Sequence, residues 1–431
     1  MGVASVAGGL VVVATALLAG RAPLATLLGA AGAVVVGLGL VRPQAALLLL
    51  IATGPLESAV LIPDNAALTP VKAAGAFCFA AFAFDVLVNH RRIRFDRSHA
   101  VLGLLLALAL VSSLAARSTP DALTTTVRYA SFAGLYFVAT QRPDRKLAVR
   151  IVWVLSAAAA LAAVLAVRRF LSGEALLAGP VNGDSNDLAF ILATTLPLTF
   201  WLIRTKGTLA RIAVLVMVAA ISLGVLLSLS RGALLALAVA GVFHAATERR
   251  HIPVLLFGGA VTMAVALFVA GSAADRINEG LTVKSHIASE NVETRLDAWH
   301  AAVELATDRP LLGVGPNNFG FYYFEKTGRP PGTFGLRVVH DAYLDVAAEL
   351  GFTGLVLFGS YLAITFGRAT TAVRRRLGPP GLASAVRTAM VVAMVAALTL
   401  SEQYFPPFWV LGALATVLFL EGEPEWSSST S

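Results

Sequence analysis

Apolar runs long enough to cross a bilayer recur along this whole chain, and that recurrence limits the fold more than any motif does. They lie near 3–20, 24–41, 43–62, 70–88, 99–116, 122–140, 147–167, 186–203, 209–229, 232–247, 252–272, 341–367, 384–402 and 406–421. Each approaches the roughly 20 residues that a helix needs to span the hydrocarbon core. The residues are 57% hydrophobic and 13% charged, with mean hydropathy +0.79, too few charges to cover the apolar surface of a soluble domain of this length. The runs are continuous and do not alternate, which excludes an outer-membrane β-barrel and leaves helices to satisfy the backbone in lipid. The expected fold is all-α, a polytopic integral membrane protein with about 12–14 transmembrane helices.

One long hydrophilic stretch, Ala273 to His340, interrupts this pattern. It divides the chain into an N-terminal transmembrane bundle (1–272), a large extracytoplasmic loop (273–340) and C-terminal transmembrane helices (341–421). A short acidic, Ser-rich tail (422–431) reads as disordered. Met1 to Gly20 has no basic leader region, so it reads as a retained first helix and not as a signal peptide. Cys78 is the single cysteine and can form no internal disulfide. No internal repeat is evident.

A net charge of +8 would suggest nucleic acid in a soluble protein, but beside membrane spans basic residues report orientation. With the N-terminus in the cytoplasm, the connections on that side hold Arg42, Arg91, Arg92, Arg94, Arg97, Arg142, Arg145, Lys146, Arg204, Lys206, Arg211, Arg249, Arg250 and Arg368 to Arg387. The opposite connections hold far fewer, namely Arg21, Arg117, Arg168, Arg169 and Arg231. This asymmetry puts the long loop outside a cytoplasmic membrane, and frequent Ala, Val, Gly and Arg fit a GC-rich bacterial genome. Membrane lipids are the expected surroundings, and no nucleic acid is expected.

Within the loop, Asn291 to Thr307 has helical periodicity, with Leu296, Trp299, Val303 and Ala306 on one face and Arg295, His300 and Glu304 largely off it. Such a helix is expected to lie at the membrane surface with Trp299 among the headgroups. It stops at Asp308-Arg309-Pro310, and Gly313 to Asn318 then forms a turn-rich bend. The glycines there follow no strand, so a dinucleotide fingerprint is rejected.

Topology narrows the chemistry. His90, His99, His244 and His251 fall on the cytoplasmic side, leaving His286, His300 and His340 outside. His340 alone sits where the loop meets a transmembrane helix, with Ala347, Gly351 and Gly354 continuing its helical face and letting neighbouring helices come close. A helix N-terminus disfavours imidazolium and would keep such a ring neutral. It is either a general base or an interfacial histidine that starts a helix. Arg231, in Leu229-Ser230-Arg231-Gly232-Ala233, joins two spans with no room for a loop. A guanidinium there needs an anionic partner or a water-filled cavity, unless it snorkels from a helix end. Arg295 either meets an anion beside Trp299 or is a solvated charge. Arg128 and Lys72, inside or near apolar spans, either pair with phosphate or neutralise a carboxylate.

Arginine forks match phosphate oxygens, and a lipid-linked sugar diphosphate presents two phosphates at the membrane edge. Two arginines would stabilise the departing diphosphate while a neutral histidine takes the proton of an attacking hydroxyl. That set suffices for glycosyl transfer without metal or other cofactor. Asp184-Ser185-Asn186-Asp187 is the nearest acidic cluster and stands as the metal-binding alternative.

At these residues the chain resembles the O-antigen ligase and polymerase superfamily of bacterial membrane glycosyltransferases. The likeness is carried by Val181-Asn182-Gly183-Asp184-Ser185-Asn186 with Leu188-Ala189 and by Ser230-Arg231-Gly232. It continues in Arg295 with Trp299, Pro310, Gly313-Val314-Gly315 and Phe319, and in His340-Asp341-Ala342-Tyr343-Leu344 with Glu349-Leu350-Gly351. The resemblance implies the lipid-phosphate-dependent (GT-C type) membrane fold. It also implies inverting, metal-independent transfer of a glycan from undecaprenyl pyrophosphate on the outer face of the inner membrane. Arg231 and Arg295 would hold the pyrophosphate and His340 would be the base. Asn186, Ser230, Trp299, Arg337, Asp341, Tyr343 and Glu349 are further candidates to support them, with Arg128 a candidate from its place in an apolar span alone. The family usually has asparagine where this chain has Asp341, a carboxylate that either raises the pKa of the base or caps the helix.

Three functions compete. A ligase would move a finished polysaccharide onto lipid A-core or another envelope acceptor, and the compact single loop favours it. A polymerase would join lipid-linked repeat units to one another. A transporter or flippase would place polar groups and broken helices near the midplane, with inverted repeats, whereas the candidates here gather at one face.

Overall fold

The computed structural model describes residues 43–57, 70–175, 185–248, 277–278, 282, 294–328, 338–401, 403 and 406–423. The runs expected at 3–20, 24–41 and 252–272, the first part of the polar loop and the tail from 424 lie outside these residues. The described helices are α1 (Pro43–Glu57), α2 (Pro70–Val88), α3 (Arg97–Leu114), α4 (Thr119–Thr140), α5 (Arg145–Ser172), α6 (Ser185–Leu202) and α7 (Thr208–Leu227). They continue with α8 (Arg231–Thr247), α9 (294–308), α10 (Phe319–Thr327), α11 (Ala342–Arg375), α12 (Leu382–Ala396) and α13 (Pro406–Leu420), with no strand among the described residues. Helices α2, α3, α5, α7 and α11 are long and apolar enough to cross a membrane, while α1, α8, α12 and α13 are apolar but shorter. The protein is an all-helical polytopic membrane protein.

The short helices make sense from where they sit. In α12 and α13 nearly every side chain is buried, from Leu382 to Ala393 and from Pro407 to Leu418. A helix apolar all round belongs inside a bundle. At roughly 22 Å, α13 is shorter than the hydrocarbon core, which costs little when protein and not lipid surrounds its ends. Trp409 anchors it, stacked against Phe132 of α4 and Tyr361 of α11 with centroid separations of 6.1 and 5.2 Å. Helix α12 lies against α6 and α8, and α11 lies against α3 and α13.

The basic connections meet at one end of the bundle. Arg368 of α11 donates to Asp96 (2.8 Å), Ser98 (2.9 Å), Tyr136 (3.0 Å) and Thr416 (3.1 Å), joining α3, α4, α11 and α13. Asp96 also caps α3, in a capping box with His99. Burial acts to raise the Asp96 pKa, but hydrogen bonds from His99 and Ser98 and the Arg368 charge together hold this carboxyl well below the usual range. At the same end Arg142 pairs with Asp85, and Trp201 and Arg204 donate to the Pro380 carbonyl, each at 3.0 Å.

The polar loop docks at the other end, on a break in α11. Gly351 (φ 69°, ψ −179°) interrupts that helix. The interruption frees the Ala348 and Glu349 carbonyls, which accept from Val314 N (3.0 Å) and Gly315 N (2.9 Å) of the loop. Glycines Gly313 (φ 65°) and Gly351 are required, because a Cβ at either would run into the opposite backbone. This corrects the expected role of the α11 glycines. Gly351 is a left-handed break that receives the loop, not a place where a neighbouring helix comes close, and a Cβ at Gly354 would meet Leu350 of its own helix. Buried Asn318 then pins the loop to the α3–α4 turn, accepting from Ser118 N (2.8 Å) and donating to Ser118 O (3.2 Å).

Helix α9 packs on this platform through Ala298, Ala301, Ala302, Leu305 and Ala306. Leu296 and Val303, on the face expected to lie at the membrane surface, point away from this platform and are 46% and 47% exposed, while Ala306 of that face is buried and the docked stripe is mostly alanine.

Candidate active site

Three candidate segments approach one tripeptide, Thr399-Leu400-Ser401, in the connection from α12 to α13. Arg295 Nη1 approaches the Thr399 carbonyl at 3.5 Å, and His340 N–H donates to the Ser401 hydroxyl at 3.0 Å. On the Arg231 side, the absence of a side chain at Gly232 lets α8 sit against Thr399, whose hydroxyl a Cβ would strike. Ser230 caps α8 by accepting from Ala233 N, and Arg231 is its exposed first residue. The turn before it is tight, with Leu229 left-handed (φ 53°). Ser185, first residue of α6, donates to the Ser228 carbonyl at 3.3 Å, so half-buried Asn186 begins its helix beside the same turn.

His340 lies one residue before the N-cap of α11 in a left-handed conformation (φ 58°). Side chains do adopt this region, but at a cost that the surroundings must supply. Here they do. Trp299 Nε1 donates to the Val339 carbonyl at 3.2 Å while Ser401 accepts from His340 N, so both polar ends of that planar peptide are held. Trp299 therefore faces the protein, which corrects its expected place among the headgroups.

The start of α11 and the end of α12 satisfy each other's unpaired backbone groups. Ala342 N–H donates to Ala397 O at 2.9 Å, and the Tyr343 hydroxyl donates to Met394 O at 2.9 Å. Asp341 accepts from Tyr343 N and Leu344 N, each at 2.9 Å. Of its two readings the structure therefore displays the cap. Burial raises the Asp341 pKa, and the two backbone bonds partly offset that.

The other sequence candidates fall as follows. Glu349 is buried, and its carbonyl receives the loop. Arg128 is exposed along α4. Arg337, Asn182, Gly183, Asp184 and His286 lie outside the described residues, so only Ser185, Asn186 and Asp187 of the acidic cluster are described. Sequence reasoning missed Thr399 and Ser401, ordinary polar residues at the end of an apolar run.

Fold and site define a multi-pass membrane protein in which a polar segment carrying Arg295 and His340 docks on helix ends near the Arg231 turn. Residues 215–359 match the family model described as O-antigen ligase, a segment that includes Arg231, Arg295 and His340. The match covers about a third of the chain, and this part is similar to the O-antigen ligase family. No curated protein matches the chain.

Proposed function

We propose that this protein transfers a glycan from undecaprenyl pyrophosphate to an acceptor hydroxyl, in lipid A-core or another envelope acceptor, on the outer face of the bacterial inner membrane. The acceptor oxygen attacks the anomeric carbon as the bond to the diphosphate breaks, and the leaving group departs with the bonding electrons. His340 takes the hydroxyl proton. Arg231 and Arg295 stabilise the charge developing on the diphosphate in place of a metal, and attack from the face opposite the leaving group inverts the anomeric centre. What supports the reading is the Thr399–Ser401 strip, against which Gly232, Arg295 and His340 all rest.

Purified protein with a lipid-linked oligosaccharide tests it. Release of lipid pyrophosphate should survive EDTA and collapse in His340→Ala. Arg231→Lys should also turn over poorly, because a point charge does not replace the guanidinium fork. Loss in EDTA restored by a divalent cation would move the chemistry to the Asp184–Asp187 cluster. Chain growth with the lipid-linked donor as sole substrate would identify a polymerase, whereas a ligase needs a separate acceptor.

A further inference from the structure

Near the basic end of the bundle an arginine is enclosed with no carboxylate to meet it. Arg387 lies in the second turn of α12, about 9 Å along the helix from Gly381, and is 7% exposed. Among the described residues none forms a hydrogen bond or ion pair with its guanidinium, and its Nε is buried without a partner. The guanidinium rests on the Phe243 ring of α8, 5.2 Å from the centroid. Three residues earlier, on the same face, Ser384 is 4% exposed and its hydroxyl is also buried without a partner. That face is turned to α8, because Thr388 is hydrogen-bonded to His244 Nδ1 at 2.8 Å. Phe243 also meets Phe366 of α11 at 6.3 Å, so the two polar groups lie where α8, α11 and α12 come together.

The charge around them has one sign. Helix α12 starts at Gly381 with no side-chain cap and presents the positive end of its macrodipole. Arg204 donates to the Pro380 carbonyl just before it, and Arg374 stands exposed in the last turn of α11. Glu248, just past α8, acts on Arg387 at a distance, and Arg374 opposes it. Snorkelling would carry the charge out to water, whereas this guanidinium stays against Phe243. An enclosed charge in a membrane helix is costly, and it is kept where an anion meets it. Leu235, Val239 and Val242 of α8 are exposed, so the cluster borders a surface that lipid covers.

We infer that Arg387 and Ser384, helped by the charge of Arg374, bind the phosphate of an anionic phospholipid in the leaflet at the basic end. The guanidinium fork and the serine hydroxyl donate to the phosphate oxygens, and the acyl chains lie along the apolar flank of α8. The site is at the opposite end of the bundle from His340 and does not depend on the glycosyl-transfer reading.

Purified protein in neutral detergent tests this, with phosphatidylglycerol or phosphatidylcholine of the same acyl chains added. Native mass spectrometry reads binding and thermal unfolding reads stability. Phosphatidylglycerol should bind and raise the thermal midpoint, and phosphatidylcholine should not. Arg387→Met should weaken phosphatidylglycerol binding about tenfold or more and abolish the rise. Without lipid the same variant should be at least as stable as wild type, since it removes a charge that has no partner. Arg387→Lys keeps the charge but not the fork and should fall between the two, and Ser384→Ala should weaken binding about threefold. Arg375→Gln removes an exposed arginine paired with Glu423 at the same end and should leave binding unchanged.

Equal binding of the two lipids, or wild-type phosphatidylglycerol affinity in Arg387→Met, would overturn the site. An Arg387→Met variant markedly less stable than wild type without lipid would overturn it too, by showing that the guanidinium is satisfied within the protein. Inorganic phosphate giving the same rise as phosphatidylglycerol would replace the lipid with a soluble anion. Should Arg387→Met fail to fold, wild-type affinity in both Arg387→Lys and Ser384→Ala would overturn the site.

Discussion

Trp299 and Ser401 hold opposite ends of one peptide plane, the Val339 carbonyl and the His340 amide, at 3.2 and 3.0 Å. The indole comes from the polar loop and the hydroxyl from the bundle, so the left-handed His340 is set only when the loop is docked. Trp299→Phe keeps the packing and loses the donor. It should cost about 1 kcal/mol of stability, typical of one hydrogen bond, and a larger share of turnover. Thermal unfolding in detergent beside a transfer assay separates the two. Unchanged kcat in a folded Trp299→Phe variant would leave the indole with a packing role alone.

Gly351 tests the docking itself. Ala at a position with φ 69° carries a strain of order 1–3 kcal/mol, and its Cβ would also meet Pro310 and Leu311 of the loop. Gly351→Ala should therefore lower the thermal midpoint and raise protease cleavage between α9 and α10. A variant with wild-type cleavage kinetics would show that the helix break is not what holds the loop.

Asp341 makes a pH prediction. Its folded pKa is raised by burial, so between the ordinary aspartate value and the raised one the folded state binds more protons than the unfolded state. Stability contributed by this group is present below that window and is lost as pH rises through it. Asp341→Asn keeps the capping oxygen without the buried charge. At neutral pH it should be at least as stable as wild type, with its advantage shrinking as pH falls into the carboxylate range. An Asn variant less stable than wild type at neutral pH would mean that the charge itself is stabilising.

Arg368 addresses the far end of the bundle. Removing one partner of a buried ion pair strands the other, at about 3–5 kcal/mol. Arg368→Gln should therefore unfold at markedly lower temperature. Turnover per folded molecule should hold, because the network lies at the opposite end from His340. Chemical denaturation with an active-fraction count would reveal a loss of kcat in the folded protein, which would require coupling between the ends.

Much of this could be read from residue order. Hydropathy identifies the spans, because each helix must bury apolar residues in lipid or in its neighbours. Alternation of basic connections sorts the turns: those expected on one side include Arg142 with Asp85 and Arg204 with Pro380, and they meet at one end. The Leu229–Gly232 turn was legible because two apolar runs leave no residues for a loop. The docking face of α9 was not. Periodicity marks the outward stripe through Leu296 and Val303, whereas the face that packs on the platform is mostly alanine.

What the sequence determined by itself is therefore the membrane class, and it nominated Arg231, Arg295 and His340 as candidates. Those follow from hydropathy, charge and motif, which are local properties. Tertiary structure decided what brings them together. His340 and Ser401 are 61 residues apart, and neither Ser401 nor Thr399 has any distinguishing neighbour in the chain. They matter because α11 starts where α12 ends, and a helix N-terminus with spare N–H groups pairs with a C-terminus that has spare carbonyls.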